Sequence, residues 1–508
     1  MAASQVLIDG RTLSIESLML IRDGLATTSL SNEAISRMQT SRKAVEDILA
    51  SDKIVYGINT GFGAMSSVQI DSADVAKLQL NLIRSHACGV GELMSPEHVL
   101  MMMVIRANSL AVGNSGIRVE VVQTMLELVN ARISPTVPRI GSLGASGDLA
   151  PLSHLAMGLV GENDFLIEDE DGWTLIEASD AFDRIQSNPV SLQAKEGLSL
   201  INGTSQMCTF LSEALSTLET LVFSADCATA CSVEAIKGSH KAFDSRIHAV
   251  RPHKGQSISA ARISALLADS DINRSHADCD RVQDAYSLRC AAQVHGPVID
   301  ALQRARETLQ IELNSATDNP LVFTAEDGSS EVISGGNFHG ENLAIIADNL
   351  AVCAHELGSI SERRTNLLMN PQWSGQKAFL AVEDGLESGL MIVQYVSAAC
   401  VAELHHLANP ASTTNISVSM EKEDHVSMGA TACHRLLTCC EMLSRVLANE
   451  LIAAIGCLRN ISETPGTGVS SVFSTINGMI PALDRDKSLS EVSDGLALEL
   501  RFGLLHDL

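Results

Sequence analysis

Aromatic side chains are scarce in this 508-residue chain: they make up 3%, as two Trp, three Tyr and eleven Phe. Basic ones are also short, 35 Lys and Arg against 61 Asp and Glu, for a net charge of −26. Such a surface repels the phosphates of nucleic acid and of an anionic bilayer, so neither is an expected partner. A secretory leader is not read at the N-terminus, where no basic stretch precedes an apolar one and Asp9 interrupts. The longest uncharged apolar run lies between Glu387 and Glu403. That is short of the ~20 residues a bilayer span needs, so it reads as a buried helix. The 12 cysteines lack paired Cys-x-x-Cys spacing. Cys227 and Cys231 share a helical face with no second pair to follow, which favours core packing and reduced thiols over a metal or disulfides. These shortages describe a soluble, cytoplasmic protein that handles small molecules.

With 45% hydrophobic residues over this length, two or three packed units and an ample core are expected. From Met207, apolar residues recur at Phe210, Leu211, Ala214, Leu215, Leu218, Leu221 and Val222, a stripe of helical period. Similar stripes run through 294–313, 343–360, 386–404 and 436–455. Helices of this length pack as a bundle and leave surface for subunit contact. Ser95-Pro96-Glu97 starts a helix, with a capping serine and proline at the first helical position. Strand signals are sparse, but hairpins are expected over 165–176 around Asp171-Gly172 and over 321–333 around Asp327-Gly328. The expected fold is mainly α, a long central helical bundle at 201–508 with a smaller mixed N-terminal domain at 1–200.

Three irregular stretches interrupt the helices, and loops of this kind are where sites are placed. Residues 56–63, Tyr-Gly-Ile-Asn-Thr-Gly-Phe-Gly, lack the Gly-Lys-Ser/Thr ending of a phosphate loop. Residues 334–340 read Ser-Gly-Gly-Asn-Phe-His-Gly, and 134–154 hold three of the 12 prolines. Within the last, Gly144-Ala145-Ser146-Gly147-Asp148 has a bland reading, a tight turn leading into a helix capped by Ser146 or Asp148. It also has a chemical one. The Gly147 nitrogen, unhindered by a side chain, attacks the Ala145 carbonyl. Loss of two waters, one taking the Ser146 hydroxyl, leaves an exocyclic methylidene. None of the twenty side chains is electrophilic, so a reaction needing an electron sink must make or bind one.

The run from Gly144 to Ser153 resembles the prosthetic-group motif of the aromatic amino-acid ammonia-lyases, in which Ala-Ser-Gly becomes 4-methylidene-imidazol-5-one (MIO). The resemblance covers nearly the whole chain. It includes 56–63, Asn202-Gly203-Thr204, 283–289, Thr317-Asp318-Asn319-Pro320, 334–339, Glu362-Arg363-Arg364 and Glu423-Asp424-His425. These ordered matches are far more specific than any one alone. Within the family the likeness is closest to the histidine-specific branch. Ser85-His86 stands at the ring-selecting position, and Glu423 matches a carboxylate placed near the imidazole. Polar partners around the ring admit an imidazole and reject a phenyl group, because a buried donor or acceptor left unpaired costs ~1–3 kcal/mol.

The resemblance implies a lyase that takes ammonia from L-histidine to give trans-urocanate, with MIO built from Ala145, Ser146 and Gly147 and no external cofactor or metal. Tyr56 would be the base for the β-proton. Tyr286 would help form and polarise the prosthetic group or assist proton transfer, and Arg289 would hold the carboxylate. Asn202 and Gln283 would orient the carboxylate or hydrogen-bond the imidazolone oxygen. Phe338 would pack beside the prosthetic ring, and His86 and Glu423 would bind the imidazole. A homotetramer with shared active sites is implied, with the prosthetic-group loop in the N-terminal domain.

The chain departs from its relatives at two places. Glu421 stands where the histidine enzymes commonly have asparagine, and Ala291-Ala292 follow the Tyr-Ser-Leu-Arg-Cys run where a proline is usual. Glu421 either faces the ring pocket, admitting a modified histidine, or points outwards. The competing functions are an MIO-dependent lyase or aminomutase for another aromatic amino acid, and a non-catalytic helical paralogue.

Overall fold

The computed structural model of the chain describes residues 4–51, 55, 57–60, 70–71, 74–277, 281–325 and 327–506. It is mainly helical, as the stripes require, with small two- and three-stranded sheets. Two compact units are present. The first comprises Met1–Glu213, Glu307–Ala347 and Ala411–His434; the second comprises Ala214–Arg306, Asp348–Pro410 and Arg435–Leu508. Four long helices, Ser205–Ala235, Ala291–Leu313, Glu341–Met369 and Gly429–Leu458, contain four of the five points where the chain passes from one unit to the other; the fifth, at Pro410–Ala411, follows the helix Met391–Leu407.

All the named strands belong to the first unit. Both Asp-Gly hairpins form: Phe165–Asp169 pairs with Gly172–Ile176, and Leu321–Thr324 with Ser330–Ile333. A parallel pair, Ser4–Ile8 with Ala26–Leu30, carries no comparable sequence signal. The helix Pro96–Ala111 begins as read, with Ser95 Oγ accepting from the His98 amide at 3.2 Å. It is buried from Val99 to Ala111.

The second unit is helical throughout its named elements. With few aromatics, its core relies on Leu, Ala and other small residues that let helices approach closely. Helices Lys254–Leu266 and Ala291–Leu313 meet at Gly255 and Gly296, where a Cβ on Gly255 would lie 2.0 Å from the Gly296 carbonyl oxygen. One stripe was read too long. Residues 386–390 form turns, and the helix begins at Met391, after Gly385 and Gly389 take φ of +82° and +55°. Glu341–Met369 is long and apolar enough to cross a bilayer by length and composition, but 61% of its most apolar window is buried within the fold. That marks a core helix.

Candidate functional site

The Ala145-Ser146-Gly147 loop is defined by side chains that are absent. Gly144 and Gly147 have φ of +66° and +72°, a left-handed conformation that glycine adopts without strain. A Cβ on Gly147 would lie 2.2 Å from the Gly203 carbonyl oxygen, and one on Gly144 would lie 2.2 Å from Ser427 Oγ. Neither position has room for alanine. Gly147 and Gly203 form an isolated parallel bridge, and the Asp148 amide donates to Gly203 O at 2.7 Å. On the other side, Gly144 O accepts from Ser427 Oγ at 2.9 Å and from the Gly340 amide at 3.1 Å. Met428 N donates to Leu143 O at 2.8 Å. Three distant stretches of the first unit therefore grip one short loop. Ala145 is buried and Ser146 half-buried.

This setting fits the prosthetic group. Ring closure needs an unhindered amide nitrogen at 147 in a backbone already folded back, and the loop has both. Asn202 adds an orphaned group: its Nδ2 donates to Asn319 O at 3.0 Å, whereas its Oδ1 is buried without a partner. The unmatched atom is an acceptor, so Asn202 suits a ligand that donates, such as an amino group, better than a carboxylate.

Asp148 is the residue whose role sequence reasoning missed. It begins the helix Leu149–Leu159 but makes no side-chain cap there. Its carboxylate instead accepts from the Gln206 and Met207 amides at 2.8 and 3.1 Å, in the first turn of Ser205–Ala235, and from Ser142 Oγ at 2.8 Å. Complete burial pushes its pKa up to about 7, against the lowering effect of these bonds. Other buried charges surround the segment. Arg106 Nε donates to Ser199 O at 3.0 Å, and burial brings its pKa down to about 10. Lys195 pairs with Asp318 at 2.6 Å, both fully buried. Thr204 Oγ1 donates to Glu312 Oε1 at 2.6 Å, and burial raises that carboxyl's pKa. A signal for Arg106 existed: it is the lone charge within residues 98–111.

The ring-selecting candidates lie in the same unit. His86 ends the helix Val75–His86, which packs against Leu149–Leu159, the helix that follows the gripped loop, and against Glu196–Ile201, which precedes Gly203. Its Nδ1 donates to Leu82 O at 2.8 Å, which leaves Nε2 as the ring nitrogen outside that contact. Glu423 is half-buried and exchanges backbone hydrogen bonds with Val418 at 3.0 and 3.3 Å. Phe338 is half-buried, three residues after Gly335, whose amide donates to Asn319 Oδ1 at 2.7 Å. Glu421 is exposed in a turn where Ser419, Met420 and Glu421 all have φ between +54° and +63°. Tyr56 lies outside the described residues.

The remaining candidates belong to the second unit. Tyr286–Arg289 is a one-turn helix. Tyr286 is 71% exposed, and the Arg289 guanidinium carbon stands 4.4 Å from its ring centroid. Arg289 Nε donates to Asp284 O at 3.1 Å and Nη2 to Gln283 Oε1 at 3.4 Å. Gln283, Tyr286 and Arg289 thus form one cluster, while Ala145, Ser146, Gly147 and Asn202 form another. Behind the helix, Arg364 reaches Ser287 O at 3.4 Å and binds Glu450 through Nε and Nη2 at 2.5 and 2.8 Å. Ser232 and Ser361 hydroxyls donate to the same carboxylate at 2.7 and 2.6 Å. Arg364 and Glu450 are fully buried.

A family profile described as "Aromatic amino acid lyase" matches residues 13–477. The histidine ammonia-lyase of Deinococcus radiodurans is 46% identical over 479 residues, covering 94% of this chain and 90% of that protein. The crystal structure of histidine ammonia-lyase from Trypanosoma cruzi superimposes with a TM-score of 0.90 at 39% identity, over 99% of this chain and 94% of that one. Tyrosine aminomutase from Streptomyces globisporus superimposes with a TM-score of 0.91 at 33% identity, over 99% and 98%.

Proposed function

The chain belongs to the aromatic amino acid lyase family, and from that membership we propose that it removes ammonia from L-histidine to give trans-urocanate. It is a carbon–nitrogen lyase acting on a small amino-acid substrate. The observation that carries the reading is the loop in which Gly147, without room for a side chain, is pressed onto Gly203. The histidine specificity rests on the similarity to histidine ammonia-lyases, with His86 and Glu423 as the polar partners of the ring.

In this reading the Gly147 nitrogen closes on the Ala145 carbonyl carbon. One water leaves with the Ala145 oxygen and a second with the Ser146 hydroxyl. The resulting 4-methylidene-imidazol-5-one supplies an electrophilic carbon that no side chain offers. The other steps belong to side chains. Arg289 binds the substrate carboxylate with its planar guanidinium, kept in place by Asp284 and Gln283. Asn202 Oδ1 accepts from the amino group, which satisfies its orphaned acceptor. Tyr56 takes a proton from the β-carbon. The electrons left behind form the Cα–Cβ double bond as the Cα–N bond breaks, and ammonia departs. Tyr286 assists proton transfer, and Phe338 packs beside the prosthetic ring. The high exposure of Tyr286 in a single chain supports a site completed by another subunit, and family resemblance adds a homotetramer with shared sites, in the cytoplasm.

The test is near-ultraviolet absorbance of the purified protein with L-histidine, phenylalanine and tyrosine in parallel, with products identified. Urocanate from histidine alone is the expected result. A β-amino acid product would assign aminomutase chemistry instead, and no product from any of the three would dismiss the reading. Glu423→Ala is expected to damage histidine turnover more than any residual phenylalanine turnover.

A further inference from the structure

We propose that His339, Glu341 and His425 form a binding site for a zinc-type divalent cation. Among the described residues this is the one group of three or more His, Cys, Asp or Glu side chains whose ligand atoms converge, all within 4.8 Å of one another. His339 closes the Gly-rich loop and Glu341 opens the helix Glu341–Met369, while His425 comes from the Glu-Asp-His stretch. All three belong to the first unit.

Three details distinguish this cluster from a chance meeting of polar groups. His339 Nε2 lies 3.3 Å from the His425 carbonyl oxygen. That contact places the proton on Nε2 and leaves the lone pair on Nδ1, the atom nearest Glu341. A backbone carbonyl fixing the far nitrogen is the usual support for a metal-binding imidazole. Glu341 Oε2, next, is shielded from solvent and accepts no hydrogen bond. It stands 4.0 Å from His339 Nδ1 and 3.8 Å from His425 Nε2. Those separations are too long for hydrogen bonds, yet close to the ~3.4 Å between two donors on one tetrahedral zinc with bonds of ~2.1 Å. The imidazoles, finally, lie nearly parallel, at 4° with centroids 5.7 Å apart, and sharing one cation along their in-plane lone pairs turns the His425 ring, which at 66% exposure is the freer of the two.

Two imidazole nitrogens and one carboxylate oxygen select against calcium and magnesium, which favour all-oxygen shells, and for zinc and its transition-metal neighbours. His425 is 66% exposed, which gives the cation an entry path and leaves outer positions for water. Occupancy would tie the loop carrying Phe338 to the stretch carrying Glu423, though the site itself does not depend on the lyase reading.

Isothermal titration of the purified full-length protein with zinc chloride, in the absence of amino acid, tests the proposal. One zinc per chain is expected, undisturbed by excess magnesium. The same stoichiometry is expected in Ser146→Ala, which separates this site from the electrophile chemistry. His339→Ala, His425→Ala and Glu341→Gln should each weaken zinc at least about tenfold. Cys88→Ser should leave binding unchanged, since that exposed thiol is the obvious rival ligand. Loss of binding in Cys88→Ser, binding unaffected in His425→Ala, or no saturable binding would each overturn the site. X-ray absorption of the zinc-loaded native protein gives a readout free of mutation: nitrogen and oxygen neighbours are expected, and sulfur would refute it.

Discussion

The Ala145–Gly147 loop and the Tyr286–Arg289 turn are held by opposite means. The loop is gripped by backbone: Gly203, Gly340 and Met428 meet it through amides and carbonyls, and its fit depends on missing Cβ atoms. The turn is held by charge. Arg364, neutralised by Glu450, whose carboxylate also accepts from two serine hydroxyls, presents one nitrogen to the Ser287 carbonyl. On the proposed function, the difference follows from what each must do. At the loop the main chain itself is to react, so shape must be set at the main chain. At the turn the side chains of Tyr286 and Arg289 are to act, so the backbone is anchored from behind and the side chains stay accessible.

Substitutions can break that contrast, beginning with the largest effect. Ser146→Ala removes the methylidene carbon, and histidine turnover should fall roughly a thousandfold or more, about 4 kcal/mol in barrier. Intact mass spectrometry should show the native chain lighter by two waters and the variant not. Gly147→Ala should give the same unmodified mass, because its Cβ has no place beside Gly203. A modified mass would show that the grip is looser than drawn.

The turn should fail through stability. Glu450→Gln leaves the buried Arg364 charge uncompensated, at an expected cost of ~3–5 kcal/mol in urea unfolding. Normal stability would mean that the charge finds another partner. Arg289→Lys should keep the melting temperature and lower kcat/KM for histidine by about ten- to a hundredfold, as a bidentate contact becomes a point charge. An unchanged kcat/KM would remove Arg289 from carboxylate binding.

The smallest effect is in pH. Asp148 holds its proton more tightly in the folded chain, with a pKa of about 7 against an ordinary 3.8. Its contribution therefore favours the fold fully below about pH 4, declines as pH rises towards 7, and is constant above. Asp148→Asn keeps an oxygen for Gln206 and Met207 and removes the titration. The stability of the native chain relative to this variant should fall by about 1–3 kcal/mol between pH 4 and 7. A flat difference would show that the carboxylate is ionised throughout.

Much of the fold was legible where its causes are local. The Asp-Gly hairpins, the Ser95 cap and the stripe from Met207 each involve residues within a few positions of one another. The helix read from 386 failed at its first turn because apolar spacing does not register two glycines with positive φ. The parallel pair Ser4–Ile8 and Ala26–Leu30 was missed because two short, half-polar strands reveal themselves only once apposed. At the site, the proposed Ala-Ser-Gly chemistry rests on three adjacent residues, and the Gln283–Tyr286–Arg289 cluster lies within one motif. Asp148 could not, since it caps a helix that begins 57 residues further along the chain. The Glu341 and His425 pairing has the same character.

The meeting of Gly147 and Gly203 has an evolutionary corollary. A Cβ on Gly147 would strike the Gly203 main chain, whereas one on Gly203 would lie 2.2 Å from Arg106 Nη1 and 2.7 Å from Thr317 Oγ1, so each position is closed to a side chain by a different neighbour. A lineage descending from this chain has no single-step route away from glycine at either place that keeps the loop intact. The proposed electrophile would thus be protected by geometry from gradual drift, and innovation channelled to the residues proposed to contact the ring, where one side chain can change at a time.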